Sequence, residues 1–299
     1  MISFFANLFG YVLNFLYNLV NNYGIAIILF TILLRLILLP ITILQQKSMK
    51  KNEKMQEKMR EIQTKYKNDP ERLNQATIDL YKTEKMNPFS GCLISILQIL
   101  IILSVFWVVS MPLTYMKGLN KVAYDESAED SKQTVVEYYS NKLKEENENK
   151  KASYTEIAII DKYGAEDERV SLNMNFLGLD LSKVPSQNFS DPKVYILPIL
   201  YVITSVLSIK ITNNMQGKKK KKTVEVLDKN ENPEEQSMES MEQMTKSMNY
   251  MVPIMSISIA FIAPLGLALY WFVSNLLMIL ERVITDKFFN KEKEIDENV

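Results

Sequence analysis

The chain has 299 residues, of which 47% are hydrophobic and 23% are charged, and its 35 lysines and arginines balance its 35 aspartates and glutamates. It contains no histidine, which excludes histidine-based catalytic triads, metal sites and proton relays. Its one cysteine, Cys92, cannot form an internal disulfide or a thiolate metal cluster, and its position at a predicted helix start favours packing over reactivity. Apolar and charged residues fall into separate blocks, which predicts an all-α polytopic membrane protein with substantial loops.

Residues 1–20 are apolar but carry three asparagines and no lysine or arginine. Without a basic start or a clear cleavage site, they are not expected to be a cleaved signal. Asn7, Asn14 and Asn18 alternate with aromatic residues and leucine, which favours an amphipathic helix lying in the outer interface. A weakly apolar first transmembrane helix is the alternative.

Hydropathy predicts five transmembrane helices, at 23–44, 89–112, 194–212, 249–263 and 267–285. Basic residues outnumber acidic ones in segment 45–88, and loop 213–248 contains five consecutive lysines. The positive-inside rule therefore places both segments in the cytoplasm, together with the tail 286–299. Loop 113–193 and the N-terminus are then outside.

Segment 45–88 has helical spacing of its own. The apolar residues that recur every three or four positions are Met55, Met59, Ile62 and Tyr66, and then Leu73, Ala76 and Leu80. Asn68-Asp69-Pro70 interrupts the spacing, so the segment predicts a cytoplasmic antiparallel helical hairpin.

The external loop shows no catalytic constellation. Its highly charged part, 125–151, predicts a solvated helix or a partly disordered insert. Residues 173–185 are expected to lie on the outer membrane surface, because Phe176, Leu177, Leu179 and Leu181 have nothing else obvious to cover.

Arg35 lies within the first predicted span, roughly 18 Å from its outer end. A charge at the centre of a span costs about 2.5–3.5 kcal/mol on insertion scales, so such residues usually face protein or water and serve a function. Helix rise places polar side chains near its level: Thr31, Gln98, Thr204, Ser205, Ser208 and Asn275. No carboxylate is predicted there, which indicates a wet cavity between the helices. The alternative is that Arg35 snorkels to the interface.

Residues 249–263 would form a helix of only about 22 Å, shorter than a hydrocarbon core of about 30 Å. Pro264-Leu265-Gly266 joins it to the last span, and so short a hairpin predicts local thinning of the bilayer. Six methionines form one helical stripe before it: Met238, Met241, Met244, Met248, Met251 and Met255. The stripe indicates either an adaptable client surface or packing against neighbouring helices.

Several blocks carry a resemblance to a known family. They are NYGIAIILFTILLRLILLP at 22–40, Gln45 with Ser48 and Met49, YKTEKMNPFSGCL at 81–93 with Leu97-Gln98, VPIM at 252–255 and PLGLALYWFVSN at 264–275. With these blocks in this order, the chain resembles the membrane protein insertases of the YidC/Oxa1/Alb3 type, in the bacterial form without a large periplasmic domain. It departs from them at Ile94 and Leu100, where proline is common, and at Ser208, where related bacterial chains have a glutamine.

The resemblance implies a five-helix core whose positively charged groove opens to the cytoplasm and inner leaflet but is closed to the outside. Arg35 matches the groove arginine, and Tyr270 and Trp271 match the aromatic pair of the last span. With these and the polar groups above, the expected client-groove residues are Arg35, Thr31, Gln98, Thr204, Ser208, Tyr270, Trp271 and Asn275. Clients are expected to meet the cytoplasmic hairpin first, at Met55, Met59, Tyr66 and Tyr81.

The expected function is therefore a membrane protein insertase and chaperone of the bacterial cell membrane. We expect no enzyme activity, cofactor, metal or nucleotide hydrolysis, since there is no Walker-type glycine loop. The expected partners are the lipid bilayer and nascent membrane proteins with short or acidic translocated segments, with no nucleic-acid specificity. Whether the chain acts alone or beside the Sec translocon stays open, and its short acidic tail gives no reason to expect the ribosome docking of relatives with long basic tails. The alternatives are a transporter of a small anion that binds at Arg35 and a structural scaffold for a secretion complex.

Overall fold

The computed structural model describes residues 2–66, 69–83, 90–125, 133–146, 154–217 and 258–296. Within these ranges the α-helices are α1 (Ile2–Val20), α2 (Tyr23–Lys65), α3 (Pro70–Thr83), α4 (Ser90–Ser110), α5 (Pro112–Tyr115), α6 (Val135–Glu146), α7 (Thr155–Tyr163), α8 (Ile196–Gly217) and α9 (Leu265–Asp296). The strands of this part of the chain are β1 (Asn175–Phe176) and β2 (Leu179–Asp180), which form an antiparallel hairpin. The predicted all-α class is confirmed.

Among the described residues, four helical segments are long and apolar enough to cross a membrane: Ile2–Val20, Tyr23–Lys47, Pro192–Ile211 and Leu265–Thr285. Three of them coincide with predicted spans, and a shorter apolar helix, Ile96–Ser110, lies within the predicted span 89–112. Of the predicted span 249–263, the structure describes 258–263, and residues 258–262 are helical. The methionine stripe and the run of five lysines lie outside the described residues.

Helix α2 is longer than the predicted first span, because it continues through Pro40 to Lys65. Hydropathy marks where apolar residues stop, whereas the helix itself stops only where its backbone is interrupted. Pro40 lacks the N–H that would bond to the carbonyl four residues earlier, yet the helix tolerates this single loss. The predicted interruption then follows, and Asp69 caps α3 by accepting a hydrogen bond from the Arg72 N–H at 3.1 Å.

Helix α3 folds back on the end of α2, and this pair is the predicted antiparallel hairpin. The Thr77 hydroxyl lies 3.6 Å from the Met59 sulfur across the two helices. Met55, one turn earlier on α2, is only 6% exposed. The hairpin therefore has an apolar interior of its own.

Helices α2 and α9 run parallel and in constant register. A methyl group on Gly266 would lie 3.7 Å from Ile27 Cδ1, Arg35 bonds to Ser274, and the Thr285 hydroxyl bonds to Gln46 at 2.5 Å. Each pair is separated by 239 residues. The same end of both helices thus meets at Tyr23 and Leu265, as expected of two spans that cross in the same direction.

Helix α1 packs against α4 through small and apolar residues. The carbonyl of Ile2 accepts a hydrogen bond from the Ser104 hydroxyl at 3.3 Å, and Phe9 stacks edge-on against Phe30 of α2. At Gly10, helix α1 comes so close to α5 that a Cβ atom would lie 2.0 Å from the backbone oxygen of Tyr115. Glycine is therefore required at this crossing.

Within the described parts of the insert 113–193, the predicted helix is present as α6, but it is amphipathic rather than solvated on all sides. Helix α6 buries Val135, Tyr139 and Leu143, which recur at four-residue spacing. They pack in one hydrophobic core with Ile159 and Ile160 of α7. The high charge of the surrounding sequence hid this apolar stripe, because the charged residues occupy only the opposite face.

The placement of residues 173–185 on the outer membrane surface stays a prediction, but its premise that their apolar side chains have nothing else to cover was wrong for Leu179 and Leu181. Leu179 and Leu181 are 8% and 1% exposed and belong to the hydrophobic core. Phe176 covers Gly24 at the start of α2, where an added methyl group would lie 2.6 Å from its ring. Only Leu177, at the turn of the β-hairpin, projects into the surroundings, and it is 88% exposed.

Candidate polar groove around Arg35

Arg35 contacts the facing helix α9 at three points. Its Nη2 donates hydrogen bonds to the Ser274 hydroxyl at 2.7 Å and to the Ser274 carbonyl at 3.1 Å. Its Nη1 lies 3.4 Å from the carboxylate oxygen Oε2 of Glu281. The parallel register of α2 and α9 brings Ser274 opposite Arg35, and the length of the arginine side chain covers the two further turns to Glu281.

The expectation that Arg35 has no carboxylate partner was wrong. The constant register puts Ser274 at the level of Arg35, so Glu281 lies seven residues, or roughly 10.5 Å, further along α9. The prediction compared only the depths of the residues along their helices, and so it placed Glu281 at a different level from Arg35. The long arginine side chain reaches across that difference. A comparison of each depth with side-chain reach would have found Glu281 in the sequence.

Among the described side chains, a second arginine lies near the ion pair of Arg35 and Glu281. Arg282 follows Glu281 directly and lies near enough to Arg35 and Glu281 for electrostatic interaction with both. Two guanidinium groups thus face one carboxylate. The side chains of Arg35 and Glu281 are 21% and 11% exposed, so part of this charge is accessible from outside the protein.

Helices α8 and α9 supply the second polar contact of the groove. Asn275 Nδ2 donates to the Ser205 hydroxyl at 2.8 Å. The Tyr201 and Trp271 rings pack 5.8 Å apart between the same helices. Both pairs have an offset of 70 residues, so α8 is parallel to α9 as well. Tyr270, beside Trp271, is buried, and its hydroxyl interacts with the Ser274 side chain.

Two of the predicted groove hydroxyls bond within their own helices. Thr31 donates to the Ile27 carbonyl at 2.6 Å, and Thr204 donates to the carbonyls of Leu200 and Tyr201. Both are buried, as is Ser208. Such back-bonding satisfies a hydroxyl where water is scarce, so these groups line the helix contacts rather than the accessible side of the cluster.

Gln98 was wrongly placed at the level of Arg35. It is exposed and accepts a hydrogen bond from Gln45 Nε2 at 3.0 Å. Gln45 lies ten residues, or roughly 15 Å, beyond Arg35 on α2. The predicted level of Gln98 was counted from the cytoplasmic ends of the first two predicted spans, on the assumption that both end at one membrane level. Because α2 continues as a helix past the end of its predicted span, that end does not mark a level.

The positions predicted for first contact with clients differ in accessibility. Met59 and Tyr66 are half-buried at the end of α2, and Met55 is buried in the hairpin, where it serves packing. Tyr81 lies in α3, but its side chain is outside the described residues, as is that of Cys92 in α4. Among the described residues, no group of three His, Cys, Asp or Glu side chains is placed to hold a metal ion.

Comparison with known proteins identifies the family. The family model described as 60Kd inner membrane protein matches residues 15–293 of the chain. The chain belongs to this family. It is the YidC/Oxa1/Alb3 family that the sequence blocks resemble, and together with the apolar helices it identifies a multi-pass protein of a bacterial membrane.

Curated relatives share one stretch of sequence with this family member. Two of them, both named membrane protein insertase YidC, come from Francisella tularensis subsp. novicida (strain U112) and Francisella tularensis subsp. tularensis (strain WY96-3418). Each is 42% identical over 108 residues, which is 36% of this chain. The stretch is only 20% of each relative's own length, so the relatives' activity does not transfer by similarity alone.

Proposed function

We propose that the protein is an insertase and chaperone for other membrane proteins, and that the Arg35 cluster receives the polar end of a client segment. The family and the names of its relatives support this function. The observation that carries the role of the groove is that Arg35, one-fifth exposed and near a second arginine, lies between parallel apolar helices. No nucleotide hydrolysis is needed if burial of the client's apolar span in lipid supplies the free energy.

The topology in this proposal follows the positive-inside rule. The hairpin of α2 and α3 and the C-terminal end of α9 are cytoplasmic, and the insert 113–193 is outside, so α2, α8 and α9 all cross from the outside inward. Helix α1 then lies obliquely in the outer interface. Its first residue contacts Ser104, six residues before α4 ends, which is a depth of roughly 9 Å, against a length of roughly 28 Å for α1 itself.

In the proposed mechanism a client first touches the cytoplasmic hairpin, where Met59 and Tyr66 are partly accessible. Its short acidic segment then reaches the cluster and competes with Glu281 for the Arg35 guanidinium. A 3.4 Å ion pair is long enough to exchange partners, because ideal charge-assisted bonds are about 2.7–2.9 Å. The apolar span of the client meanwhile leaves sideways into lipid, and a short terminal hairpin shortens the remaining path.

The test is insertion of a single-span client with a short acidic tail into proteoliposomes that contain only this protein, scored by protease protection. A client with a neutral tail is the matched control. We expect Arg35→Ala to lower insertion of the acidic client about tenfold, a loss of about 1.4 kcal/mol, and Arg35→Lys to retain most of it. The neutral client should change far less.

The partner glutamate sharpens this test. Glu281→Gln removes the competitor of the client, so insertion of the acidic client should rise. The exchange Arg35→Glu with Glu281→Arg keeps the pair and the net charge but moves the cation to α9. If the exchanged chain inserts like the native one, only the net charge matters. Equal insertion of both clients by all variants contradicts the electrostatic role, and failure of the native chain to insert any client contradicts the insertase function.

A further inference from the structure

The turn of the β-hairpin combines an unfavourable backbone with an unusually exposed side chain. Leu177 and Gly178 connect β1 and β2 as a two-residue turn, and both have positive φ, 51° and 78°. This is the type I′ pattern, which asparagine and glycine favour and a bulky leucine does not. Strained backbone of this kind commonly accompanies function.

Leu177 is also the most exposed large apolar residue in the described part of the chain, at 88%. It exceeds the side chains on the outward faces of the apolar helices, such as Leu36 at 62% and Ile37 at 64%. The next most exposed is Phe189 at 73%, in the same insert. Both side chains lie in the same insert, and they are the two most exposed large apolar side chains among the described residues.

The hairpin is fixed to the outer ends of two membrane helices. On one side, Asn22, the N-cap of α2, donates its amide to the Asn175 carbonyl at 2.7 Å, and Phe176 packs over Gly24. On the other side, the Gly266 N–H at the start of α9 donates to the Leu181 carbonyl at 3.0 Å. The hairpin therefore sits where the apolar segments Tyr23–Lys47 and Leu265–Thr285 begin.

The end of β1 lies over the first turn of α2. The Tyr23 N–H donates to the Asn173 carbonyl, and Phe176 covers Gly24 within that turn. Leu177 follows, and Ile25, the next residue of α2, is itself 41% exposed. Phe189 lies three residues before Pro192, where the apolar segment Pro192–Ile211 begins.

We propose that the hairpin tip is a membrane anchor, with Leu177 inserted among the lipids of the outer leaflet at the boundary of headgroups and acyl chains and Phe189 as a second contact. An apolar side chain at this depth is buried among lipids, which is favourable. Its insertion leaves no backbone group unpaired, because the hydrogen bonds of the hairpin are made between its own two strands. The anchor holds the folded insert down on the bilayer beside the start of α2 and α9. The proposal is independent of insertase activity.

The test uses the full chain in vesicles of phosphatidylcholine and phosphatidylglycerol. Cys92 is the only cysteine, so Cys92→Ser allows a single bimane label at Leu177→Cys, at Phe189→Cys or, as the matched control, at Glu145→Cys on the exposed face of α6. We expect nitroxide lipids labelled near the headgroup to quench the labels at 177 and 189 at least about twofold more than the label at 145. Aqueous iodide should show the opposite order.

A second comparison separates anchoring from mere proximity. Leu177→Asn preserves the turn, since asparagine tolerates positive φ, and so should not unfold the insert. It should nevertheless reduce lipid quenching of a label at position 189. The proposal is overturned if labels at 177 and 145 respond alike to lipid and iodide, or if Leu177→Asn leaves quenching at 189 unchanged. Either result would mean that Leu177 does not anchor the insert in lipid.

Discussion

Two charged groups removed from water, Glu156 in the insert and Arg35 in the helical bundle, are satisfied in different ways. Glu156 is 2% exposed, and each of its carboxylate oxygens accepts a hydrogen bond from Thr114, one from the backbone N–H at 2.9 Å and one from the hydroxyl at 2.5 Å. Arg35 is one-fifth exposed and holds its carboxylate at 3.4 Å. A carboxylate with both oxygens hydrogen-bonded and sealed from solvent fixes a structure, whereas a partly open ion pair remains able to exchange its partner.

The role of Glu156 follows from its position between helices. It lies in α7, and Thr114 lies in α5, which directly follows the apolar helix α4. The carboxylate thus supplies the cap that α5 lacks at Met111, which makes no side-chain cap bond. Glu156 ties the insert to the end of a membrane helix, and its contribution is expected in stability.

The largest effect is expected for Glu156→Ala. It leaves the Thr114 N–H and hydroxyl without an acceptor in a partly buried place, which costs about 1–3 kcal/mol. Hydrogen exchange of α5 and α7 in the detergent-solubilised full chain measures the loss. Glu145→Ala, at an exposed position of α6, is the control and should leave exchange unchanged. Equal exchange in both variants would show that the Glu156 bonds do not hold the insert.

The stability of the insert should depend on pH, with a sign set by the burial of Glu156. Desolvation raises the pKa of Glu156, so the folded insert binds a proton more tightly than the unfolded one. Its stability should rise as the pH falls from neutral towards 5, by at most about 1.4 kcal/mol per pH unit for one proton, and decline as the pH rises through the raised pKa. Exchange rates measured at several pH values, corrected for intrinsic rates, give this slope.

Glu156→Gln is the control for this slope, since it removes the titrating group but keeps an acceptor. Asp167 does not interfere in the window, because Arg169 lowers its pKa to about 2 and its contribution is lost only below its ordinary pKa of 3.8. If stability changes with pH equally in the native chain and in Glu156→Gln, then Glu156 stays ionised in the folded insert.

The smallest effect is expected for the ion pair of Arg35 and Glu281. A double-mutant cycle with Arg35→Gln and Glu281→Gln should give a coupling free energy of about 0.5–1 kcal/mol, because the pair is long and partly exposed. Thermal unfolding of the four chains in detergent measures it. A coupling above about 2 kcal/mol would make the pair a structural bond, like that of Glu156, and would weaken its proposed role in client binding.

Local signals in the sequence carried much of the architecture. Apolar runs marked the spans of α2, α4, α8 and α9, since the bilayer requires such runs to be continuous along the chain. Asn68-Asp69-Pro70 marked the turn of the hairpin because proline and a capping aspartate act within a few residues. Arg35 was singled out because a charge within an apolar run is visible without any structure.

The parts that sequence reasoning missed depend on distances between segments. Glu281 as the partner of Arg35 required the register of α2 against α9, and Gln45 as the partner of Gln98 required the true length of α2. The folded insert required Val135 and Tyr139 to meet Ile159, across a stretch of charged sequence. None of these pairings leaves a periodic trace in one sequence.

The sequence by itself determined that this is a helical membrane protein, where its apolar helices lie and which arginine is out of place in them, because hydropathy and helical period are properties of neighbouring residues. The tertiary structure alone decided what Arg35 contacts, that Met55 is buried and that Leu177 is exposed at a strained turn. Those outcomes depend on how parallel helices are aligned and on which side chains can reach one another across the space between them.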